Sequence, residues 1–501
     1  MPATTARRFP LAVLSALILV ALVASPAQAQ RNLQARLDQV MSGAQIGEAV
    51  VGYAVVDIGS RRQIAGYQAD RLFIPASNQK LLTAGAALLT LGPEYTFTTA
   101  LLAQPATNPG DPDRLILVGS GDPALGDPVI LGLGDPPLSP AEVIDHLAAA
   151  GHVALPAATE LVIDDRVFDR ETVHPSWPSN QLQFWYCAEV AGVNFHTNTL
   201  DVYLRAGGAG SRATVETVVP DAQWVQFNNR TRSARRGDQT AGITKPPTTP
   251  WRHTLAGNVV NRVKITVSVH DPAEFTGRLL AQSIGAIEGS ETPSVRLAQP
   301  GESFEGARKI AAIHTGLDKI LDRVLVNSHN LYAEAVFKHL DHRISGQPGS
   351  WSSGAAQMRA IIAEHMGPDA AASVRISDGS GMSRDNRLTP AFLADWVAAM
   401  VSKPDTARAF LDAMPSVGEG TLRNRFQGLD IDSDVYAKSG YLRGVYTLSG
   451  VVRAGSRGLA FSILVNDGSP NSRVHPKRLH ELLIDEMDDW LLREQAAPLG
   501  G

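Results

Sequence analysis

The chain has one cysteine, Cys187, in 501 residues. A single thiol excludes an intrachain disulfide and any zinc or iron–sulfur centre built from several cysteines. Stability must therefore come from packing. Lysine is nearly as scarce: it supplies nine of the 45 cationic side chains, and arginine the rest. No stretch is a dense Lys/Arg run and the formal charge is -5, so nothing marks the chain for nucleic acid. Past the first thirty residues no run approaches the roughly eighteen apolar residues of a membrane span. What is abundant points to folded protein: 44% hydrophobic residues against 19% charged exclude a long disordered or collagen-like chain.

The beginning reads as an export signal. Arg7 and Arg8 precede an apolar run from Leu11 to Val23, which is too short to span a bilayer comfortably. Ala27-Gln28-Ala29 then offers the small residues a signal peptidase requires, so cleavage is expected after Ala29. An exported protein of the periplasm or cell envelope, with no stable membrane span after cleavage, is the expectation.

The two ends of the remaining chain look like parts of one domain. Leu33, Leu37, Val40 and Met41 recur at helical spacing, and Val50 to Asp57 reads as a buried strand turning into a second around Ile64 to Tyr67. At the far end, Tyr446–Arg453 and Leu459–Asn466 form a hairpin around Gly455-Ser456-Arg457-Gly458. A closing helix lines Leu479, Leu482, Leu483, Met487, Trp490 and Leu491 along one face. Asp485, Glu486, Asp488 and Asp489 occupy the other, which argues for a core helix rather than one lying on an anionic bilayer. Residues 310–342 and 356–414 read as mostly helical. The segment from about 98 to 300 is rich in Gly, Pro, Thr and Val and has short strand-like runs at Arg114–Val118, Leu161–Phe168 and Val260–Val269, as expected of one or two β-rich insertions.

Three short motifs carry chemistry. Ser77-Asn78-Gln79-Lys80 stands at the start of an apolar helical run, and the spacing of three puts Ser77 and Lys80 on one face, a turn apart. The serine then sits where free backbone N–H groups and the helix dipole favour negative charge. A desolvated lysine one turn on can accept its proton. Chance predicts about 0.6 such pairs in this composition, so the motif alone is weak. Ser328-His329-Asn330 lies in a loop between two helices, and Lys438-Ser439-Gly440 at the end of an extended run. Either alone is close to noise. The ordered set is similar to the fingerprint of penicillin-recognising serine acyltransferases.

Further runs narrow the resemblance: Gly119-Ser120-Gly121-Asp122-Pro123, Asp164-Asp165-Arg166-Val167-Phe168-Asp169, and Leu331-Tyr332-Ala333-Glu334 after the second motif. They continue in Asp378-Gly379-Ser380-Gly381-Met382-Ser383-Arg384, Gly420-Thr421-Leu422-Arg423 and Ser449-Gly450-Val451. With 251 residues between Ser77 and Ser328, the chain resembles the D-alanyl-D-alanine carboxypeptidase/endopeptidase family of the penicillin-binding protein 4 type. That resemblance implies an α+β, multidomain fold. It would contain a β-lactamase/transpeptidase-like catalytic domain, with an antiparallel sheet flanked by helices plus an all-helical part, and inserted β-rich domains. The expected division is 1–29 signal peptide, 30–97 and 301–495 the catalytic domain in two parts, and 98–300 the insertion.

The resemblance also implies roles. Ser77 attacks the carbonyl of the penultimate D-alanine of a peptidoglycan stem peptide, Lys80 is its base, and Ser328 relays a proton to the leaving amine. Asn330 holds Lys80 and a substrate amide. Lys438 supplies positive charge for the terminal carboxylate and helps keep Lys80 neutral by like-charge proximity. Ser439, Gly440 and Tyr441 bind substrate, and backbone N–H groups of Ser77 and Tyr441 form an oxyanion hole. β-Lactams would inhibit covalently, and neither metal nor organic cofactor is needed.

Some residues depart from the family pattern. His329 replaces a small acid or amide and is expected to face solvent, Ser439 replaces a commoner Thr, and Tyr441 stands where Thr contributes to carboxylate recognition. Cys187 occupies a position commonly Gly and is expected to be a buried, inert thiol. The Gly119–Pro123 turn imitates a dinucleotide fingerprint, but Asp122 would repel a pyrophosphate and no helix follows. His339 and His342 suggest a metal but read as a solvated helix end. A serine β-lactamase is the nearest alternative, although no Glu-x-x-Leu-Asn places a deacylating glutamate. A non-catalytic peptidoglycan-binding scaffold is the other, opposed by intact Ser77, Lys80, Ser328, Asn330 and Lys438.

Overall fold

Val50–Asp57 forms an eight-residue strand that pairs antiparallel with Arg457–Asn466 from Val50↔Asn466 to Asp57↔Leu459. The chain's two ends are thus zipped into one antiparallel sheet, ordered 434–442, 445–454, 457–466, 50–57, 62–67. The computed structural model describes residues 26–246 and 249–496. Arg7, Arg8 and the apolar run of the expected export signal lie outside the described residues. The central strands are buried along nearly their whole length, because helices cover both faces; hence their continuous apolar runs rather than alternation.

On one face pack the opening helix Pro26–Gly43 and the closing helix Pro476–Ala496. Leu33, Leu37, Leu479, Leu483 and Met487 meet Tyr53, Val55 and Leu448 there. Asp488, expected on the outer polar face, is instead buried, and its carboxylate accepts the N–H groups of Asp432 and Ser433. A loop that folds back over the helix needs a buried acceptor, and helical periodicity cannot reveal it. On the other face lies a helical layer in which Gln79–Leu91 is buried among Leu317–Leu325, Asn330–Ser345, Trp351–Met366 and Pro390–Ser402. Trp396, fully buried, donates its indole N–H to the Leu81 carbonyl at 3.0 Å.

The intervening residues build a separate core around Leu101, Leu117, Leu147, Ile163, Phe275 and Leu280. A mixed five-stranded sheet, ordered 294–297, 160–164, 114–118, 96–104, 308–316, is joined by two three-stranded sheets. The helices Pro140–Ala154 and Pro272–Gly285 pack together on it. Residues 310–316, read from sequence as helical, belong to the strand Arg308–Gly316, which pairs with Thr96–Gln104. Entering and leaving chain segments lie side by side, so a ladder between segments about two hundred residues apart outweighs local pattern. His339, read as part of a solvated helix end, is buried against Phe97 and shares a 2.7 Å hydrogen bond with the Tyr95 hydroxyl.

Candidate active site

The chain reaches Ser77 through a tightly held turn. Asn466 grips both backbone polar groups of Ile74, and the Thr447 hydroxyl donates to the Pro75 carbonyl at 2.9 Å. Ala76 has φ +46°, a left-handed conformation that costs a residue with a Cβ roughly 1–2 kcal/mol. A single turn of 3₁₀ helix, Ala76–Asn78, then leads into Gln79–Leu91. Asn78 donates its side-chain amide to the Lys438 carbonyl at 2.7 Å, tying the turn to the edge strand Asp434–Leu442. Gly440 is obligatory in that strand: a Cβ there would lie 2.8 Å from the Ser77 nitrogen and collide with the Thr447 hydroxyl.

Lys80 is completely buried. Its Nζ lies 3.3 Å from Ser77 Oγ, 2.7 Å from Asn330 Oδ1 and 2.8 Å from the Ser380 carbonyl. A neutral amine has two N–H donors and one lone pair, which matches one hydroxyl and two carbonyl-type acceptors. The longest contact, to Ser77, is the one the lone pair would make. Burial lowers the Lys80 pKa to about 8, opposed by the nearby Glu334 and Asp378. Glu334, also enclosed, is raised to about 7 by burial and by Asp378. Its carboxylate accepts the N–H groups of Gly379 and Ser380 and the Trp351 indole N–H at 2.8–2.9 Å. That grip aims the Ser380 carbonyl at Lys80. Gly381, at φ +81°, lets this turn pass against the Ala76 carbonyl, where a Cβ would collide.

Ser328 lines the same cleft as Ser77 and is held at φ +58°. Asn330 opens the following helix; its Oδ1 receives Lys80 and its amide donates to the Tyr186 carbonyl at 2.7 Å. His329 does not face solvent. It is 6% exposed, its ring lying 5.4 Å from Trp185 and 5.0 Å from Tyr332. Burial and Arg323 push its pKa down to about 3, so the ring stays neutral. Trp185, from the inserted residues, and Tyr332 enclose the ring, and a three-residue motif cannot disclose neighbours brought by the fold.

Lys438 is fully enclosed, and its Nζ donates to the Ser439 carbonyl at 2.7 Å. Burial, then Lys80, drives its pKa well below the ordinary lysine value. Both influences act against the cation expected at 438, and the side chain does not line the cleft. Tyr441, in contrast, is 60% exposed at the rim. Ser439 shares the strand with both, and Cys187 is buried, its thiol pushed up to about 12 by burial.

The cleft has a volume of about 520 Å³. Ser77, Ser328, Asn330 and Tyr441 line one part, and Ser176, Gln181, Trp185 and Tyr186, from the inserted residues, another. Arg384 and Arg443 supply its positive charge. Sequence reasoning assigned no role to any of these six. The signal for Arg384 lay in the 378–384 run; an isolated Arg443 or an aromatic pair carries none.

A serine paired with an enclosed lysine, an asparagine on that lysine and a solvent-open cleft are the parts of a serine acyltransferase. The sequence profile of the D-Ala-D-Ala carboxypeptidase 3 (S13) family matches residues 33–489. The chain belongs to that family. It is a serine-type carboxypeptidase. Among its relatives is the D-alanyl-D-alanine carboxypeptidase of Actinomadura sp. (strain R39), 28% identical over 471 residues, covering 89% of this chain and 84% of the relative. The D-alanyl-D-alanine carboxypeptidase DacB of Haemophilus influenzae is 23% identical over 426 residues, covering 83% and 85%. The crystal structure of penicillin binding protein 4 from H. influenzae matches the fold with a TM-score of 0.72 at 21% identity, over 90% of this carboxypeptidase and 99% of that chain. The mixed, multidomain fold that the motifs implied is the fold this S13 peptidase has.

Proposed function

We propose that this S13 carboxypeptidase removes the terminal D-alanine of peptidoglycan stem peptides through an acyl-enzyme on Ser77. The observation that carries the reading is the enclosed Lys80, with two acceptors for its N–H groups and Ser77 Oγ 3.3 Å away. Lys80 in its neutral form takes the hydroxyl proton as Ser77 Oγ bonds to the penultimate carbonyl carbon. Backbone N–H groups of Ser77 and Tyr441 receive the oxyanion, each such donor being worth about 3 kcal/mol of barrier. The closeness of Gly440 to the Ser77 nitrogen supports that pairing. Ser328 passes a proton to the departing D-alanine nitrogen as the C–N bond breaks, and water then frees the acyl group.

Lys438 lies enclosed beneath the floor, and its proximity to Lys80 disfavours carrying a proton on both amines at once. Tyr441, Gly440 and Ser439 form the strand edge along which an extended stem peptide lies, since an edge strand presents unpaired backbone groups. The terminal carboxylate meets Arg443, which is exposed in the cleft.

The division into a catalytic domain (30–97 and 301–495) and an insertion (98–300) belongs to the same reading, with the pairing of 96–104 and 308–316 drawing the junction outward on both sides. Export with cleavage after Ala29, to the periplasm or cell envelope, is part of it too. Among the described residues no helix is long and apolar enough to cross a membrane. Covalent inhibition by β-lactams follows from the acyl-enzyme. It is supported by the relative from Dictyostelium discoideum described as penicillin-sensitive carboxypeptidase A, and by the H. influenzae structure complexed with a novel beta-lactam.

The test is labelling with a fluorescent penicillin. A stable adduct in the wild type and none in Ser77→Ala is the expected result, with D-alanine released from a stem pentapeptide. Absence of labelling in the wild type would overturn the acyl-enzyme, and rapid turnover of the penicillin would point to a β-lactamase.

A further inference from the structure

Asp127 belongs to the inserted residues, one turn beyond the Gly119–Pro123 run. It is completely buried, yet its carboxylate reaches into the layer that carries Ser328. Its Oδ2 accepts Arg323 Nε at 2.9 Å and the Tyr332 hydroxyl, while Oδ1 accepts the Val129 N–H at 2.8 Å. Arg323 and Tyr332 lie on the helices before and after the Ser328 loop. The guanidinium sits 5.5 Å from the centre of the Tyr332 ring.

Arg323 holds the loop on both sides of Ser328. Its Nη1 donates to Asn327 Oδ1 at 2.7 Å, and its carbonyl accepts the His329 N–H at 3.0 Å. Ser328, between those two anchors, has φ +58°. A non-glycine residue in that region costs on the order of 1–3 kcal/mol and persists only where its surroundings enforce it. Gly420, at φ +42°, presses on the Val326 carbonyl from the other side, where a Cβ would collide.

The Asp127 loop is itself rigid. The Asp122 carboxylate accepts the Thr315 hydroxyl at 2.7 Å and the Ala124 N–H at 2.8 Å, and Gly126, at φ +70°, lies against the Phe195 ring. An isolated buried arginine would be held by its own desolvation cost in no particular place; paired with a fully enclosed carboxylate it has one geometry.

We infer that the buried Asp127–Arg323 pair is a clasp through which the inserted residues hold Ser328 in its strained, cleft-facing conformation. Asp127 and Arg323 are positioning residues: neither lines the cleft, and both act through Ser328. The inference rests on the reading of Ser328 as the proton relay. It makes the insertion a component of the catalytic geometry as well as a wall of the cleft.

A double-mutant cycle read by the acylation rate with a fluorescent penicillin tests it, with thermal unfolding measured on every protein. Asp127→Asn is expected to slow acylation about 10²-fold per folded molecule, the usual cost of misplacing a reacting group by an ångström. Arg323→Lys, which keeps the charge but loses the fork to Asn327, is expected to lose a similar factor. In a Ser328→Ala background Asp127→Asn should cost almost nothing more. Multiplying losses in the double variant would overturn the inference, because residues acting through one group are not additive. If Asp127→Asn does not fold, Tyr332→Phe removes one donor to the same carboxylate and enters the same cycle. A Ser328→Ala protein that acylates at the wild-type rate would instead overturn the assignment of Ser328, a result distinct from additivity.

Discussion

Lys80 illustrates how one side chain is made reactive by three constraints of different origin. Burial favours its neutral form, Glu334 and Asp378 favour the charged one, and the balance falls at about 8. In its proposed role as base Lys80 is active when neutral, so the acylation rate should rise as pH passes upward through about 8 and level off above it. Lys80→Ala is expected to lose roughly 10²–10⁴-fold in acylation, the usual contribution of a general base, measured by stopped-flow with a fluorescent penicillin. Glu334→Gln removes a negative charge that raises the Lys80 pKa, so the rising limb of the profile should move to lower pH. A limb that stays in place would show that Glu334 does not set the lysine's proton affinity. His329 shows the simpler case, a titratable ring that burial, aided by Arg323, lowers to about 3.

At the scale of elements, two glycines separate packing from chemistry. Gly85 lies in the middle of the helix that follows Ser77, and a Cβ there would come within 2.8–2.9 Å of the Trp396 ring and Met400 Sδ. Gly85→Ala is expected to destabilise the protein by about 1–3 kcal/mol through overpacking, seen as a lower Tm, with acylation per folded molecule retained. Gly440→Ala acts differently. Its methyl would meet the Ser77 nitrogen, so acylation should fall more than stability does. Equal effects of the two substitutions on acylation would deny the edge strand its place beside the oxyanion. Legibility followed the same division. The strands 50–57 and 114–118 and the terminal hairpin were readable because each is locally apolar and bounded by turn residues. The strand 308–316 was not, because its partner lies about two hundred residues away and its own pattern, with two central alanines, is ambiguous.

On the scale of the molecule, the histidines buried in neutral form make a destabilising contribution in acid. His329 and His339 are lowered to about 3 and His253 to about 4, each chiefly by burial. Unfolded, each binds a proton near its ordinary value of about 6.5, so between there and the folded value the unfolded state binds more protons. Their contribution to stability should therefore fall as pH drops from about 7 toward 4, opposed by Asp122 and Glu334, whose carboxyls burial raises to about 6 and about 7. It is read from the urea midpoint of histidine variants against wild type. His329→Phe should flatten that dependence while leaving Tyr332 and Trp185 an aromatic neighbour. An unchanged slope in that variant would mean that the His329 ring protonates readily in the folded protein.

The identity and order of Ser77, Lys80, Ser328, Asn330 and Lys438 as candidates were legible in the sequence alone, because each lies in a short motif whose internal spacing is local. The family followed from their order along the chain. Only the tertiary structure decided the rest. It turned His329 inward, shut Lys438 away from the cleft, left the accessible positive charge to Arg384 and Arg443, and brought Asp127 from the insertion onto Arg323. Each of those outcomes depends on which surfaces the folded chain lays against one another, and burial and proximity between segments hundreds of residues apart have no local signature.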